Sequence, residues 1–346
     1  MFKWLSFILL IPLIGIVACS SPQQTASPRK TTSFSQKYTT AFPTRDVAQL
    51  LNRAQRSTVR IISTSYYATY LFDKPSTRLE SIRSNKLENI ASQKKTSEES
   101  TAGTSIILDL KPDGQSLLIT CAHAVTSPDT LISYFPEEVA PPNTFVQSIS
   151  IKKRQNNFIF DPNNFSTFEV IAQNTLADLA LITAQFKTVT DQSHNSIPFP
   201  MGRSENIQTG SFLYVFGFPK GFPMITRGLA NTQGLEGRPF FITDALFNPG
   251  ISGGLIIASN DRFNSFEWVG MARSATADRE KILIPDPAID NYEERIGTPY
   301  TDDIFIGRKN RISYGITQAI PIREIRSFLS ENKDIIRNNG FDYLAD

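Results

Sequence analysis

Histidine, no more common than cysteine, is among the scarcest reactive residue types in this chain. Two occur in 346 residues, and both, His123 and His194, precede Ser252. Ser252 sits in Gly250-Ile251-Ser252-Gly253-Gly254, where glycines let the backbone turn sharply and a reactant approach closely. The stretch matches G-x-S-x-G, but the α/β-hydrolase elbow of that pattern needs its base histidine after the serine. The missing downstream histidine excludes that fold. Charge of one sign is also missing: a formal net charge of +2 gives no basic excess of the kind that nucleic-acid binding needs. No metal-ligand cluster and no internal repeat stands out, so neither a metal nor an organic cofactor is implied. Hydrophobic content is not lacking. With 40% hydrophobic residues, 25 of them Phe, the chain can build a substantial core.

What remains is one order of reactive groups: His123, then Asp178, then Ser252. Leu117 to Ala122 is an apolar run bounded by Gly114 and ending at His123, which predicts a buried strand carrying a base at its tip. Leu179 to Ile182 predicts a second such strand with Asp178 at its entrance. A serine hydroxyl becomes a nucleophile when a neutral imidazole takes its proton. The imidazole in turn needs a buried carboxylate to fix its tautomer and stabilise the cation that forms. Cys121 reads as a small core residue on the His123 face of its strand, and His194 as a solvated loop residue.

These segments carry a resemblance. Thr120-Cys121-Ala122-His123 looks like the T-x-A-H of trypsin-like serine proteases. Asp178-Leu179-Ala180-Leu181 resembles their aspartate strand, and Gly250 to Gly254 their nucleophile turn. Gly210 to Pro219, with Gly221 and Thr226-Arg227-Gly228, is similar to a segment of the HtrA/Deg type. The stretches Ile242 to Ala245 and Asn248 to Gly250 look like the approach to its serine, and Tyr314 to Pro321 like its closing strand. The likeness covers about residues 45 to 330.

The resemblance implies an all-β fold of two six-stranded antiparallel barrels of the chymotrypsin type, about 57–195 and 207–320, with short helices at both ends. It implies endopeptidase activity on polypeptides, unfolded or exposed segments above all, with an oxyanion hole from the Gly250 and Ser252 N–H groups. It places Leu246 and Phe247 at the base of the substrate pocket and Gly270, Met271 and Ala272 on its far wall. It allows a homotrimer. Ile251 departs from the Asn or Asp usual before the nucleophile, and a β-branched residue there can bias the turn away from a formed hole. The other reading is therefore a binding lipoprotein that keeps the fold without catalysis. Only about twenty residues follow the protease-like part, too few for a PDZ module.

The N-terminus combines Lys3 with an apolar run, Leu5 to Ala18, too short to span a bilayer. It ends in Ile16-Val17-Ala18-Cys19, which resembles a bacterial lipobox. The expected organisation is a lipoprotein signal peptide over 1–18 and lipidated Cys19 as the mature terminus, anchored in an extracytoplasmic membrane facing the periplasm. Several acyl chains on one residue give stable anchoring, and Ser20 permits sorting to an outer membrane. With Cys19 lipidated, Cys121 has no disulfide partner. Residues 19–43, poor in apolar side chains, read as a disordered tether. The catalytic domain follows over 44–335, then a tail over 336–346. Arg45 to Arg56 predicts a helix. The stretches 73–102 and 276–310 read as long polar insertions.

Overall fold

The computed structural model describes residues 37–84, 86–136, 139–161, 164–187, 193–232, 240–285 and 304–343. The expected signal peptide, Cys19 and most of the expected tether lie outside the described residues. Among them, no helix is long and apolar enough to cross a membrane.

Helix α1 (Ala48–Arg56) leads into the first sheet. Its strands are β1 (Thr58–Leu71), β2 (Gln93–Leu110), β3 (Gln115–Thr120), β4 (Thr130–Tyr134), β5 (Val146–Asp161), β6 (Asn164–Asn174) and β7 (Leu179–Gln185). Short helices α2 (Leu79–Ser84), α3 (Leu87–Ile90) and α4 (Ala122–Val125) interrupt them. The order is β1-β2-β3-β7-β6-β5, and pairing of β1 with β5 closes six strands into a barrel. Strand β4 pairs with the start of β5. The second barrel, also closed, runs β10-β13-β12-β11-β8-β9. It uses β8 (Phe212–Gly217), β9 (Met224–Thr232), β10 (Phe241–Thr243), β11 (Leu255–Ala258), β12 (Glu267–Pro285) and β13 (Ile304–Pro321). Helices α5 (Ile322–Glu331) and α6 (Lys333–Asn338) follow. This is the chymotrypsin-like architecture of two antiparallel six-stranded barrels.

The uninterrupted apolar runs of β8 and β11 have a physical cause. Phe212, Tyr214 and Phe216 belong to the main core, which runs from the first barrel to α5, while Leu213 and Val215 belong to a separate core in the second barrel. Leu255 and Ile257 divide from Ile256 and Ala258 in the same way. Successive side chains of a strand point to opposite faces, so a strand between two cores is apolar at every position. Each such fully buried aliphatic or aromatic side chain contributes roughly 1.5–3 kcal/mol.

Several expectations are corrected here. Residues 93–102 form strand, not polar loop: β1 and β2 pair out to Leu71 and Gln93 as a long ribbon capped by α2 and α3. The described part of the 276–310 insertion likewise extends β12 and β13, with Pro285 opposite Ile304. Leu283, Ile304 and Ile306 are exposed on that ribbon. The expected tether is ordered from Lys37 to its end. Tyr38 is wholly buried and donates to Glu267 Oε2 at 2.6 Å, and Thr39 bonds through its backbone to Ser259 and Phe212. The C-terminal tail is packed too, since Ile336 and Phe341 join the main core. His194 is half-buried against the Phe186 ring, centroids 5.0 Å apart, not a freely solvated loop residue.

Candidate active site

The β2–β3 turn depends on Gly114, whose φ of +91° is left-handed and whose missing Cβ leaves room for the Phe186 carbonyl. From that turn β3 runs to Thr120, and α4 then carries His123. The histidine is thus on a helical turn just past the strand, not at the strand's tip. The alternation expected between Cys121 and His123 is lost as a result. Cys121 is fully buried, whereas the His123 side chain is 44% exposed.

Asp178 lies immediately before β7 with φ +59°, a left-handed conformation that aspartate tolerates better than most residues. This brings its main-chain carbonyl to the Ala122 N–H at 3.1 Å and its side chain to His123. The His123 backbone N–H donates to Asp178 Oδ1 at 3.0 Å. His123 Nδ1 lies 2.8 Å from Oδ2 and 3.0 Å from Oδ1. A carboxylate accepts only, so Nδ1 carries the hydrogen and Nε2 faces outward as the acceptor. Burial pushes the Asp178 carboxyl upward, but the bonds from His123 and from Arg273 outweigh it and hold the group below the usual carboxylate range. The Asp178 carboxylate is therefore kept ionised at neutral pH.

Ser252 is held in a turn fastened to the first barrel by one residue of β2, Thr104. Its N–H donates to the Ser252 carbonyl at 2.7 Å. Its hydroxyl donates to the Gly250 carbonyl at 2.8 Å and accepts the Phe218 N–H at 3.0 Å. Its own carbonyl accepts the Thr120 hydroxyl at 2.7 Å. Gly253, at φ +89°, passes so close that a Cβ would strike the Thr104 carbonyl.

The Pro249 carbonyl accepts from Lys220 N–H at 2.7 Å. In a trans peptide the N–H points opposite the carbonyl, so Gly250 N–H is turned away from Lys220. Among the described residues neither Gly250 N–H nor Ser252 N–H donates to a protein group, which leaves both for an external acceptor. Ile251 does not obstruct them. Its side chain is buried in the second barrel's core, and its N–H is bonded to Asn248 at 3.1 Å.

The Ser252 hydroxyl donates to the Arg273 carbonyl at 2.8 Å. Among the described residues no bond joins it to His123. Arg273 also sends its guanidinium Nε to Asp178 Oδ2 at 3.2 Å. Sequence reasoning missed both Arg273 and Thr104. Arg273 had a faint signal as the one charged residue in Gly270 to Ala277; Thr104 had none, because its hydroxyl and N–H bind main-chain groups of Gly250, Phe218 and Ser252 that are distant in sequence.

The expected substrate pocket is corrected. Leu246 is exposed, but Phe247, Met271 and Ala272 are buried core residues, and Gly270 is packed against the Ile320 carbonyl. Only Leu246 of the five offers a side chain to an approaching peptide in this conformation. The nearby Asp244 carboxylate is engaged by the Leu229 N–H.

Cys121, His123 and Asp178 place three ligand-type atoms within 4.8 Å of one another. Their chemistry does not suit a metal. Burial and then the Asp178 charge push the Cys121 thiol well up, and it donates to the Ala272 carbonyl, while His123 Nδ1 is committed to Asp178.

Comparison with known proteins adds one family match: the trypsin-like peptidase domain, over residues 103–264. That span contains His123, Asp178 and Ser252. No curated protein matches the chain. Among solved structures, the HtrA-type protease AlgW with a decapeptide is 17% identical, with a TM-score of 0.46, covering 85% of this chain and 69% of that one. A variant of the same protease with the decapeptide is 18% identical, with a TM-score of 0.44, covering 86% of this chain and 68% of that one.

The Thr104 hydroxyl should be worth most of the turn's attachment. Thr104→Val keeps the shape and orphans the Gly250 carbonyl and Phe218 N–H, at an expected cost of about 1–3 kcal/mol. Thr104→Ser should remain near wild type. Denaturant midpoints check this, and equal midpoints for wild type and Thr104→Val would refute the assignment.

Proposed function

We propose that the chain is a serine endopeptidase of the HtrA-like kind, working through an acyl-enzyme. The observation that carries the reading is the His123–Asp178 pair at 2.8 Å, linked to the Ser252 hydroxyl through Arg273, whose guanidinium bonds Asp178 and whose carbonyl accepts from Ser252. For reaction, rotation about χ1 of Ser252 moves its hydroxyl from the Arg273 carbonyl to His123 Nε2. Ser252 Oγ then attacks the peptide carbonyl as His123 accepts the proton. The N–H groups of Gly250 and Ser252 hold the oxyanion, and His123 returns the proton to the leaving amine. Water repeats the cycle with the same groups and frees the acyl portion. Ser252→Ala or His123→Ala should lower hydrolysis of unfolded casein roughly 10⁴-fold or more, and Asp178→Asn similarly or somewhat less. Wild-type rates from Ser252→Ala would exclude the mechanism.

A second reading rests on that same serine contact. With its hydroxyl bonded to a backbone carbonyl and not to His123, the protein can serve as a binding lipoprotein with a protease fold. A fluorophosphonate probe separates the two, because an activated serine is labelled and a passive one is not.

The substrate preference follows from Leu246, an exposed apolar side chain; the carboxylate of Asp244, two residues earlier, is turned to the Leu229 N–H. A cationic side chain there would lose water without gaining a partner. Cleavage after Val, Ile, Ala or Leu is expected, with broad selectivity because one methylene is worth only about 1–3 kcal/mol. Mass spectrometry of a digested unfolded protein checks this; cuts concentrated after Lys or Arg would disprove it.

The proposal extends to location and assembly. The chain is anchored to an extracytoplasmic membrane through lipidated Cys19, facing the periplasm, and the HtrA likeness favours a trimer. Metabolic labelling with a fatty acid should mark the wild type and not Cys19→Ala. Label retained by the variant would rule out Cys19 as the acceptor.

A further inference from the structure

Arg273 is bonded to two of the reacting groups and accounted for by neither. Its carbonyl accepts the Ser252 hydroxyl at 2.8 Å. Its guanidinium Nε lies 3.2 Å from Asp178 Oδ2, the oxygen that also takes His123 Nδ1 at 2.8 Å. The guanidinium is fixed from two further sides. Nη1 lies 3.4 Å from Gln318 Oε1, and its central carbon stands 5.7 Å from the Phe240 ring centroid. The Arg273 side chain is 27% exposed and that of Asp178 only 8%, so solvent screens the contact weakly.

One carboxylate thus faces two basic groups. The groups in contact with the couple are Asp178 before β7, His123 and Cys121 around α4, and Arg273 on β12. Gln318 on β13 reaches it through Arg273. The Cys121 thiol is neutral, so Arg273 is the cation of this set. A carboxylate already paired with a guanidinium offers less to an imidazolium, and the guanidinium repels that second cation.

We propose that Arg273 is a positioning residue that offsets the Asp178 charge, keeping His123 a neutral base to lower pH than an isolated Asp178–His123 pair would. The inference rests on the serine-peptidase reading and deepens it. The corollary is that the imidazolium formed in the reaction is stabilised less, so the residue trades rate on the alkaline plateau for activity on the acid side.

The test uses the full chain with unfolded casein and fluorophosphonate labelling, each followed from pH 5 to pH 9. Arg273→Gln removes the charge. Arg273→Met removes it while keeping a straight apolar stem against Phe240, which preserves packing if the Gln variant does not fold. Arg273→Lys keeps the charge. The two neutral variants should move the acid limb of both profiles upward by about half to one pH unit, with an equal or faster plateau. Arg273→Lys should stay near the wild-type limb.

Slower neutral variants whose acid limb coincides with wild type would mean that Arg273 only supports the structure, and would overturn the proposal. A Lys variant shifted as far as the neutral ones would also overturn it, since charge would not be the cause. Failure of the underlying reading shows differently: Ser252→Ala would then cleave like wild type, or wild type would escape the probe, and the proposal would fall with it.

Discussion

The placement of Ser252 depends on how one β-strand residue of the first barrel grips a turn of the second. Thr104 donates its N–H to the Ser252 carbonyl and its hydroxyl to the Gly250 carbonyl. It also receives the Phe218 N–H and the Thr120 hydroxyl. Buried polar groups without partners are costly, so these bonds hold the nucleophile turn in one orientation relative to β2 and β3. Since β3 leads directly to α4, the same residue relates Ser252 to His123. The double-sided cores behind β8 and β11 make that relation rigid.

Electrostatics imposes the second constraint. Asp178 is almost fully buried, which by itself disfavours its charge. The His123 backbone and ring and the Arg273 guanidinium reverse that preference. Left-handed backbone at Asp178 is part of the same arrangement, because it turns the carboxylate toward α4 and β12 together. The carboxylate is thus the meeting point of the two barrels' chemistry, and its charge is shared between a group that changes protonation and one that does not.

The fold and the meeting of His123 with Asp178 were largely legible in the sequence. The absence of a histidine after Ser252 directed attention to the order His123, Asp178, Ser252, and the glycines of the turn carried their own conformational signal. What was not legible has physical reasons. Residues 93–102 are charged and polar because they form the exposed outer strand beside β1, which is itself paired on its other side with β5, and that exposure mimics the composition of a loop. Lys37 to Pro43 looked like tether because its attachment is made by backbone bonds and a single buried tyrosine. Phe247 and Met271 share the apolar character of a pocket wall and of a core, and sequence cannot separate those two. Arg273 acts through a contact 95 residues distant in the chain, beyond any local pattern.

The most direct measurement is the trapping of the covalent intermediate. The full chain would be mixed with an activated ester of an apolar amino acid, quenched in acid during the burst, and the peptides weighed. An acyl adduct on the peptide carrying Ser252 is expected, formed in wild type and lost in His123→Ala. Ester hydrolysis that turns over while Ser252 stays unmodified, or an adduct that forms equally without His123, would contradict the serine-peptidase mechanism.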